Sequence, residues 1–165
     1  MSSTVLFSFA LAQACAGWTS IDDVVMGGRS GSRVECTQTG TLRFHGVVSL
    51  ESNGGFASVR SPAVTAKLDG HSGLRLRLKG DGKSYKLNLR TDLGFDGTQY
   101  QASFPTTGAW QEIDLPFGAF VPRFRGRAVD APPLAPERIA SVGLLISDRQ
   151  TGPFVLDVAW IEAYR

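Results

Sequence analysis

The chain has 165 residues, with 17 Lys and Arg against 15 Asp and Glu, 19 glycines, two cysteines and two histidines. One domain spanning residues 1–165 buries roughly 70% of its unfolded surface at this length, so neither a metal nor a disulfide is required for stability. A formal charge of +2 excludes nucleic acid or an anionic membrane as a partner chosen by charge, and two histidines leave little material for a histidine triad or a zinc site.

Cys15 and Cys36 are too few for a disulfide framework and too far apart for a Cys-x-x-Cys pair, so both are expected as reduced, partly buried thiols. Residues 5–16 have the apolar character of a signal-peptide core ending in Ala12-Gln13-Ala14, but no Lys or Arg precedes Arg29, and the basic leading region is missing. No stretch reaches the ~18 uninterrupted apolar residues of a spanning helix. A soluble, intracellular, cytoplasmic protein with no direct membrane insertion is the expectation.

Residues 4–10 place Val5, Phe7 and Phe9 on one parity, the pattern of a first strand. A helical turn over 11–17 leads to Trp18, a large aromatic expected to pack on the core beside the glycine-rich segment that follows. That segment, Asp22-Asp23-Val24-Val25-Met26-Gly27-Gly28, and its echo Asn53-Gly54-Gly55 read as tight turns at one end of a sheet, because glycine takes φ > 0 with no Cβ penalty. Asp23, Met26, Gly27, Gly28, Gly54 and Gly55 are therefore assigned as structural-turn residues. Strands over 33–38 and 41–50 form a hairpin around Thr39-Gly40, and 56–60 is a further strand.

Leu74-Arg75-Leu76-Arg77-Leu78 alternates cleanly, so one face is buried while the arginines meet solvent or a partner. Gly80-Asp81-Gly82 turns the chain into 84–90, where Tyr85, Leu87 and Leu89 share one face and Lys86, Asn88 and Arg90 the other. Residues 98–104 repeat the pattern, with Tyr100, Ala102 and Phe104 opposite Gln99, Gln101 and Ser103. Residues 110–115 form another strand, Pro116-Phe117-Gly118-Ala119-Phe120 a turn, and Arg123, Phe124, Arg125 and Arg127 an exposed edge. One helical turn over 136–140 precedes strands over 141–147 and 153–163, the last apolar on both parities and so central. About ten strands joined by Gly and Pro turns favour an all-β jelly-roll β-sandwich.

The apparent chemical motifs fail on spacing. Gly82-Lys83-Ser84 lacks the glycine that a phosphate loop needs at position 77, where Arg77 stands, and Tyr85 occupies the third glycine position of a dinucleotide fingerprint begun at Gly80. Gly70-His71-Ser72-Gly73 has the wrong spacing for a nucleophile elbow. Asp22 and Asp23 have three readings: a paired acid, calcium ligands with a distant carboxylate such as Asp157, or Asx-type caps of the glycine turn. Adjacent strand carboxylates point to opposite faces, and no compact acidic loop supplies the roughly six to eight oxygens of calcium, so capping is preferred. No catalytic residue, metal or cofactor is assigned, and the chain is read as not an enzyme.

Trp18, Asp23-Val24-Val25-Met26-Gly27-Gly28-Arg29-Ser30, Phe44-His45-Gly46 and Gly54-Gly55-Phe56-Ala57-Ser58-Val59-Arg60 stand in this order along the chain. They are followed by Gly82-Lys83-Ser84-Tyr85, Tyr100-Gln101-Ala102-Ser103-Phe104, Trp110 and Asp148-Arg149-Gln150-Thr151-Gly152-Pro153-Phe154. The set resembles the complex I intermediate-associated protein 30 family over nearly the whole chain, with Val24 where the family's usual Asp-Gly-Val-Met-Gly-Gly has its first glycine. The resemblance implies a galactose-binding-domain-like β-sandwich and kinship with mitochondrial assembly factors for respiratory complex I.

Arg60, Asn88, Arg90, Gln101 and Ser103, with Ser58 and Lys86, alternate with apolar residues on three strands. Where such strands adjoin, their polar parities make a face of fork donors and amides that suits carboxylates, sugar hydroxyls or a protein strand. The first five are the candidate ligand- or partner-binding residues. The expected function is a non-catalytic protein-binding domain, and the resemblance adds a role in assembling a respiratory or related membrane oxidoreductase. The alternative is a carbohydrate- or small-ligand-binding module on the same face. Exposure of Trp110 and Tyr85 discriminates the two, because sugar rings stack on exposed aromatics.

Overall fold

A computed structural model describes residues 3–11, 14–21, 31–51, 55–92, 97–124 and 127–165. Its strands are β1 (Ser3–Ser8), β2 (Thr19–Ser20), β3 (Gly31–Cys36), β4 (Leu42–Val48), β5 (Ala57–Arg60), β6 (Gly73–Lys79) and β7 (Ser84–Arg90). They continue with β8 (Gln99–Pro105), β9 (Trp110–Pro116), β10 (Val121–Phe124), β11 (Arg127–Ala128), β12 (Ser141–Ile146) and β13 (Gly152–Tyr164). Helix among the described residues is confined to single 3-10 turns such as Phe117–Ala119 and Pro136–Arg138. None is long and apolar enough to cross a membrane.

The strands make two antiparallel sheets. The six-stranded sheet runs β3-β4-β13-β6-β9, with β1 also against β13. β13 accommodates both partners on one edge because it is long: β4 pairs from Gly152 to Val158 and β1 from Trp160 to Tyr164. β6 takes the other edge, so the final strand is central, as its apolar character requires. The seven-stranded sheet runs β11-β10-β8-β7-β12-β5-β2. Packed face to face, the two form a jelly-roll β-sandwich.

Period-two alternation selects the inner faces. Leu74, Leu76 and Leu78 of β6, with Leu156, Val158 and Ile161 of β13, are buried in one core with Tyr85, Leu87 and Leu89 of β7 and Val142, Leu144 and Ile146 of β12. Burial of each such side chain contributes about 1.5–3 kcal/mol, and a one-residue slip would expose the whole set. Phe154 lies edge-on to Phe44 at 4.9 Å and to Tyr85 at 6.4 Å, joining the sheets through the core. The Tyr85 hydroxyl donates to Asp81 Oδ1 at 2.9 Å, with the Val155 carbonyl sharing it at 3.2 Å, and the Val155 amide donates to Asp81 Oδ2 at 3.0 Å. The turn before β7 is thereby tied to the opposite sheet.

Cys15 and Cys36 form a disulfide with Cα atoms 5.7 Å apart, which corrects the expectation of reduced thiols. The pairing follows from register. Cys36 stands opposite Leu42, Leu42 opposite Val158, and Ser8 opposite Trp160, so the end of β3 and the exit of β1 converge across β4 and β13. Trp18 is buried and lies edge-on to Phe7 and Phe9 at 5.1 and 5.6 Å, the core packing expected of it. Of the assigned turn residues, Asp23, Met26, Gly27, Gly28 and Gly54 lie outside the described residues, and Gly55 holds a φ of +139°.

Candidate functional site

The two outer faces of the sandwich differ in how their charges are matched. On the six-stranded sheet, cross-strand register supplies partners. Arg75 stands opposite Asp114 on β9 and Glu162 on β13, Arg77 opposite Glu112, and Arg43 opposite Asp157. The Arg43 guanidinium donates to both Asp157 oxygens at 2.8 and 3.0 Å, which gives that carboxylate an ion-pair role in place of the calcium alternative. Arg75 and Arg77 are thus engaged within their own sheet, the second also lying over the Trp110 ring.

On the seven-stranded sheet, one row across the strands reads Thr19, Arg60, Gly143, Asn88, Gln101 and Val121. Gly143 contributes no side chain, so a gap opens between Arg60 and Asn88. A Cβ at Gly143 would lie 2.8 Å from the Val59 carbonyl oxygen, too close for an unshifted backbone, so glycine is needed for β5 and β12 to approach here. Arg90, in the next row, stands opposite Ser141. Arg60, Asn88, Arg90, Ser141 and Gly143, with Gln99, line a small hollow of about 60 Å³.

The face expected as an open polar surface is therefore recessed. Arg90 retains 3% of its accessible surface and Asn88 and Gln101 8% each, although all three have the outward parity. Among the described residues, Nε, Nη1 and Nη2 of Arg90 have no hydrogen-bond acceptor, and Asn88 Oδ1 and Ser141 Oγ are unmatched as well. The Asp92 carboxylate is 3.7 Å from Arg90 Nη2, beyond hydrogen-bond distance, and is largely exposed. Burial, and then the neighbouring charge of Arg90, hold the Arg60 guanidinium below its ordinary pKa, with Asp92 opposing the shift. Unmatched buried donors each cost about 1–3 kcal/mol, more when charged, so their grouping around one hollow is energetically expensive in the free protein.

The structure thus brings together Arg60, Asn88 and Arg90 of the five candidate residues. Gln101 stands beside Asn88 in the row, whereas Ser103 is exposed and opposite Lys86, whose ammonium bonds Ser147 and Asp148 at 3.1 Å each. Gln99, Ser141 and Gly143 are additional lining residues. The signal for the last two was the small pair Ser141-x-Gly143 interrupting the apolar run of β12. Tyr85 is fully buried, whereas Trp110 is exposed at 40%, the property expected of a sugar-stacking aromatic, but stands on β9 of the other sheet.

Two face-to-face antiparallel sheets with a recess on one outer face define a jelly-roll β-sandwich of the kind found in carbohydrate-binding modules. Solved structures similar to it include the family 11 carbohydrate-binding module of the Clostridium thermocellum cellulase Lic26A-Cel5E, with a TM-score of 0.71 and 15% identity, covering 99% of this chain and 95% of that one. A family 30 carbohydrate-binding module has a TM-score of 0.60 and 13% identity, covering 100% of both chains. At these identities the likeness is one of fold. Residues 7–158 match the complex I intermediate-associated protein 30 family model, and the chain belongs to that family. Among its relatives, the mitochondrial complex I intermediate-associated protein 30 of Mus musculus is 35% identical over 97 residues, covering 55% of this chain. That of Drosophila melanogaster is 27% identical over 181 residues, covering 95% of it. The chain spans 30% and 61% of the length of these two relatives.

Proposed function

We propose that the chain is a non-catalytic protein-binding domain that engages its partner through the outer face of the seven-stranded sheet. A role in assembling a respiratory or related membrane oxidoreductase is part of the proposal, drawn from the names of its relatives. The single observation that carries the choice of face is the hollow at Gly143, where, among the described residues, buried Arg90 has no hydrogen-bond acceptor and faces Ser141 across the strands, as Arg75 of the opposite sheet faces Asp114. An outer face whose charges are matched internally has little to offer a ligand, whereas a recess with unmatched fork donors gains by receiving one.

A carbohydrate module on the same face is the weaker reading. Sugar rings bind by stacking on exposed aromatic faces, and no aromatic side chain lines the hollow among the described residues. Tyr85 faces the core, and the Trp110 ring lies under Arg77 on the other sheet. The test is affinity capture from native cells, with identification of the retained proteins, comparing wild type with Arg60→Ala/Arg90→Ala and with Arg75→Ala/Arg77→Ala. Loss of a specific partner in the first variant and retention in the second is expected. Equal capture by all three removes this face from the function, and saturable retention on a glucan array restores the carbohydrate reading.

A further inference from the structure

We infer that the outer edge of β9 is a second docking site, which takes an extended protein segment with basic residues at alternate positions as an added strand. The inference is independent of the recess on the seven-stranded sheet. It concerns backbone groups at an edge, not the charge-matched face beside them.

An antiparallel strand bonds its neighbour through every second residue, and the residues between present their amide and carbonyl to the other side. Among the described residues β9 pairs with β6 alone, from Trp110 to Pro116, and no other segment bonds its outer edge. The other sheet ends are blunted in ways that β9 is not. β2 and β11 have two residues each, β1 shifts register between Val5 and Phe7, and the Ser32 carbonyl of β3 accepts from the Ser20 hydroxyl at 3.2 Å. β9 keeps one register with β6 over seven residues, contains neither Lys nor Arg, and has proline only at its last position. Folded proteins protect exposed edges with bulges, lysines, prolines or short strands, so a long regular edge without them is open to pairing.

Register sets the chemistry of the added strand. Glu162 of β13, Arg75 of β6 and Asp114 of β9 form one row on the outer face, with Arg75 3.8 Å from Glu162 and 2.6 Å from Asp114. The next row reads Trp160, Arg77 and Glu112, with 3.4 Å between the last two. Both rows stop at β9 on a half-exposed carboxylate. An ionised carboxylate has about four lone-pair sites, of which Arg75 occupies two on Asp114 and Arg77 one on Glu112. Two basic side chains at alternate positions of an added strand would continue the alternation of charge in both rows. The apolar residue between them would meet Ile113, which packs against the core yet is only partly buried. This basic-apolar-basic pattern is the one that Arg75-Leu76-Arg77 already presents to the inner edge of β9. A second copy of β9 does not fit, because antiparallel pairing about Ile113 sets Glu112 against Asp114, and like charges directly opposite repel.

The test follows hydrogen exchange of the β9 amides in the wild-type protein, where those bonded to β6 exchange slowly and the alternate ones fast. A capped peptide Ser-Thr-Arg-Val-Arg-Thr-Ser is expected to protect the fast set saturably, at least tenfold more tightly than Ser-Thr-Glu-Val-Glu-Thr-Ser. Glu112→Lys/Asp114→Lys is expected to invert that preference, which adventitious binding does not do. Should the charge reversal unfold the protein, Glu112→Gln/Asp114→Asn keeps the side-chain shapes and is expected to remove the preference. No saturable protection of the fast set, equal binding of the two peptides by wild type, or an unchanged preference in the folded variant overturns the inference. Protection that grows with protein concentration in the absence of peptide assigns the edge to a second copy and also overturns it. The β9 amides report this edge alone, so their protection stands or fails separately from partner capture through Arg60 and Arg90.

Discussion

Arg75 and Asp114 stand directly opposite each other on β6 and β9 and share a two-pronged contact of 2.6 and 3.0 Å. The hydrogen bond from Arg75 holds the Asp114 carboxyl below its usual pKa. A carboxyl depressed in the folded state stabilises fully above its unfolded pKa of about 4, and that contribution disappears as pH falls through the folded value. Asp114→Asn should therefore lower the melting temperature slightly at pH 7, with the difference from wild type closing below about pH 4. Melting curves at pH 7 and pH 3 check this, and a difference that grows on acidification contradicts it.

The disulfide between Cys15 and Cys36 closes a loop with a sequence separation of 21. Chain-entropy arguments give such a cross-link a worth of about 3 kcal/mol. Cys15→Ser/Cys36→Ser should lose that much in urea denaturation, and reductant should lower wild-type stability while leaving the variant unchanged. Identical denaturation midpoints for oxidised and reduced wild type would show that the cross-link contributes nothing.

Arg90 presents the opposite case, a buried charge whose fork is unmatched. Replacing a poorly compensated buried ion with an apolar side chain of similar length is often neutral or stabilising by about 1–4 kcal/mol. Arg90→Met should hold or raise stability while abolishing partner capture. A loss of more than about 2 kcal/mol would make the arginine structural, because that exceeds the ordinary effect of removing an uncompensated group.

Tyr85 links the turn before β7 to β13 through a hydroxyl that is buried with Asp81 and the Val155 carbonyl. Burial, with Asp81 adding to it, pushes the phenol far above its ordinary pKa. Tyr85→Phe should cost about 1–2 kcal/mol, since two acceptors lose a donor while the ring keeps its packing. In wild type, alkaline spectrophotometric titration should show this phenol ionising only when the protein unfolds. Ionisation of all three tyrosines in the native state would contradict its position.

Much of the fold was legible because alternation is a local property. In β6, β7 and β8 the parity of Leu, Tyr and Phe against Arg, Lys and Gln divides inside from outside without reference to any other strand. The family was legible from motifs spread along the chain, and the match over residues 7–158 bears it out. Less of the site was legible. Arg60, Asn88 and Arg90 were identifiable as outward polar residues, but their burial was not, and Ser103 has the same local pattern while remaining in solvent.

By itself the sequence determined which residues of the main strands face inward, because backbone geometry alternates side chains every residue whatever the neighbours are, and, through its motifs, which family the chain joins. Only the tertiary structure decided which strands lie side by side. That choice put Gly143 between Arg60 and Asn88, Asp114 beside Arg75, and Cys36 within reach of Cys15. Register is set by pairing between segments up to a hundred or more residues apart, as where β13 meets β4, and no local pattern records it. Two arginines of similar sequence context therefore end differently: one is matched by a carboxylate on the next strand, the other is buried opposite a serine with its donors unmet among the described residues.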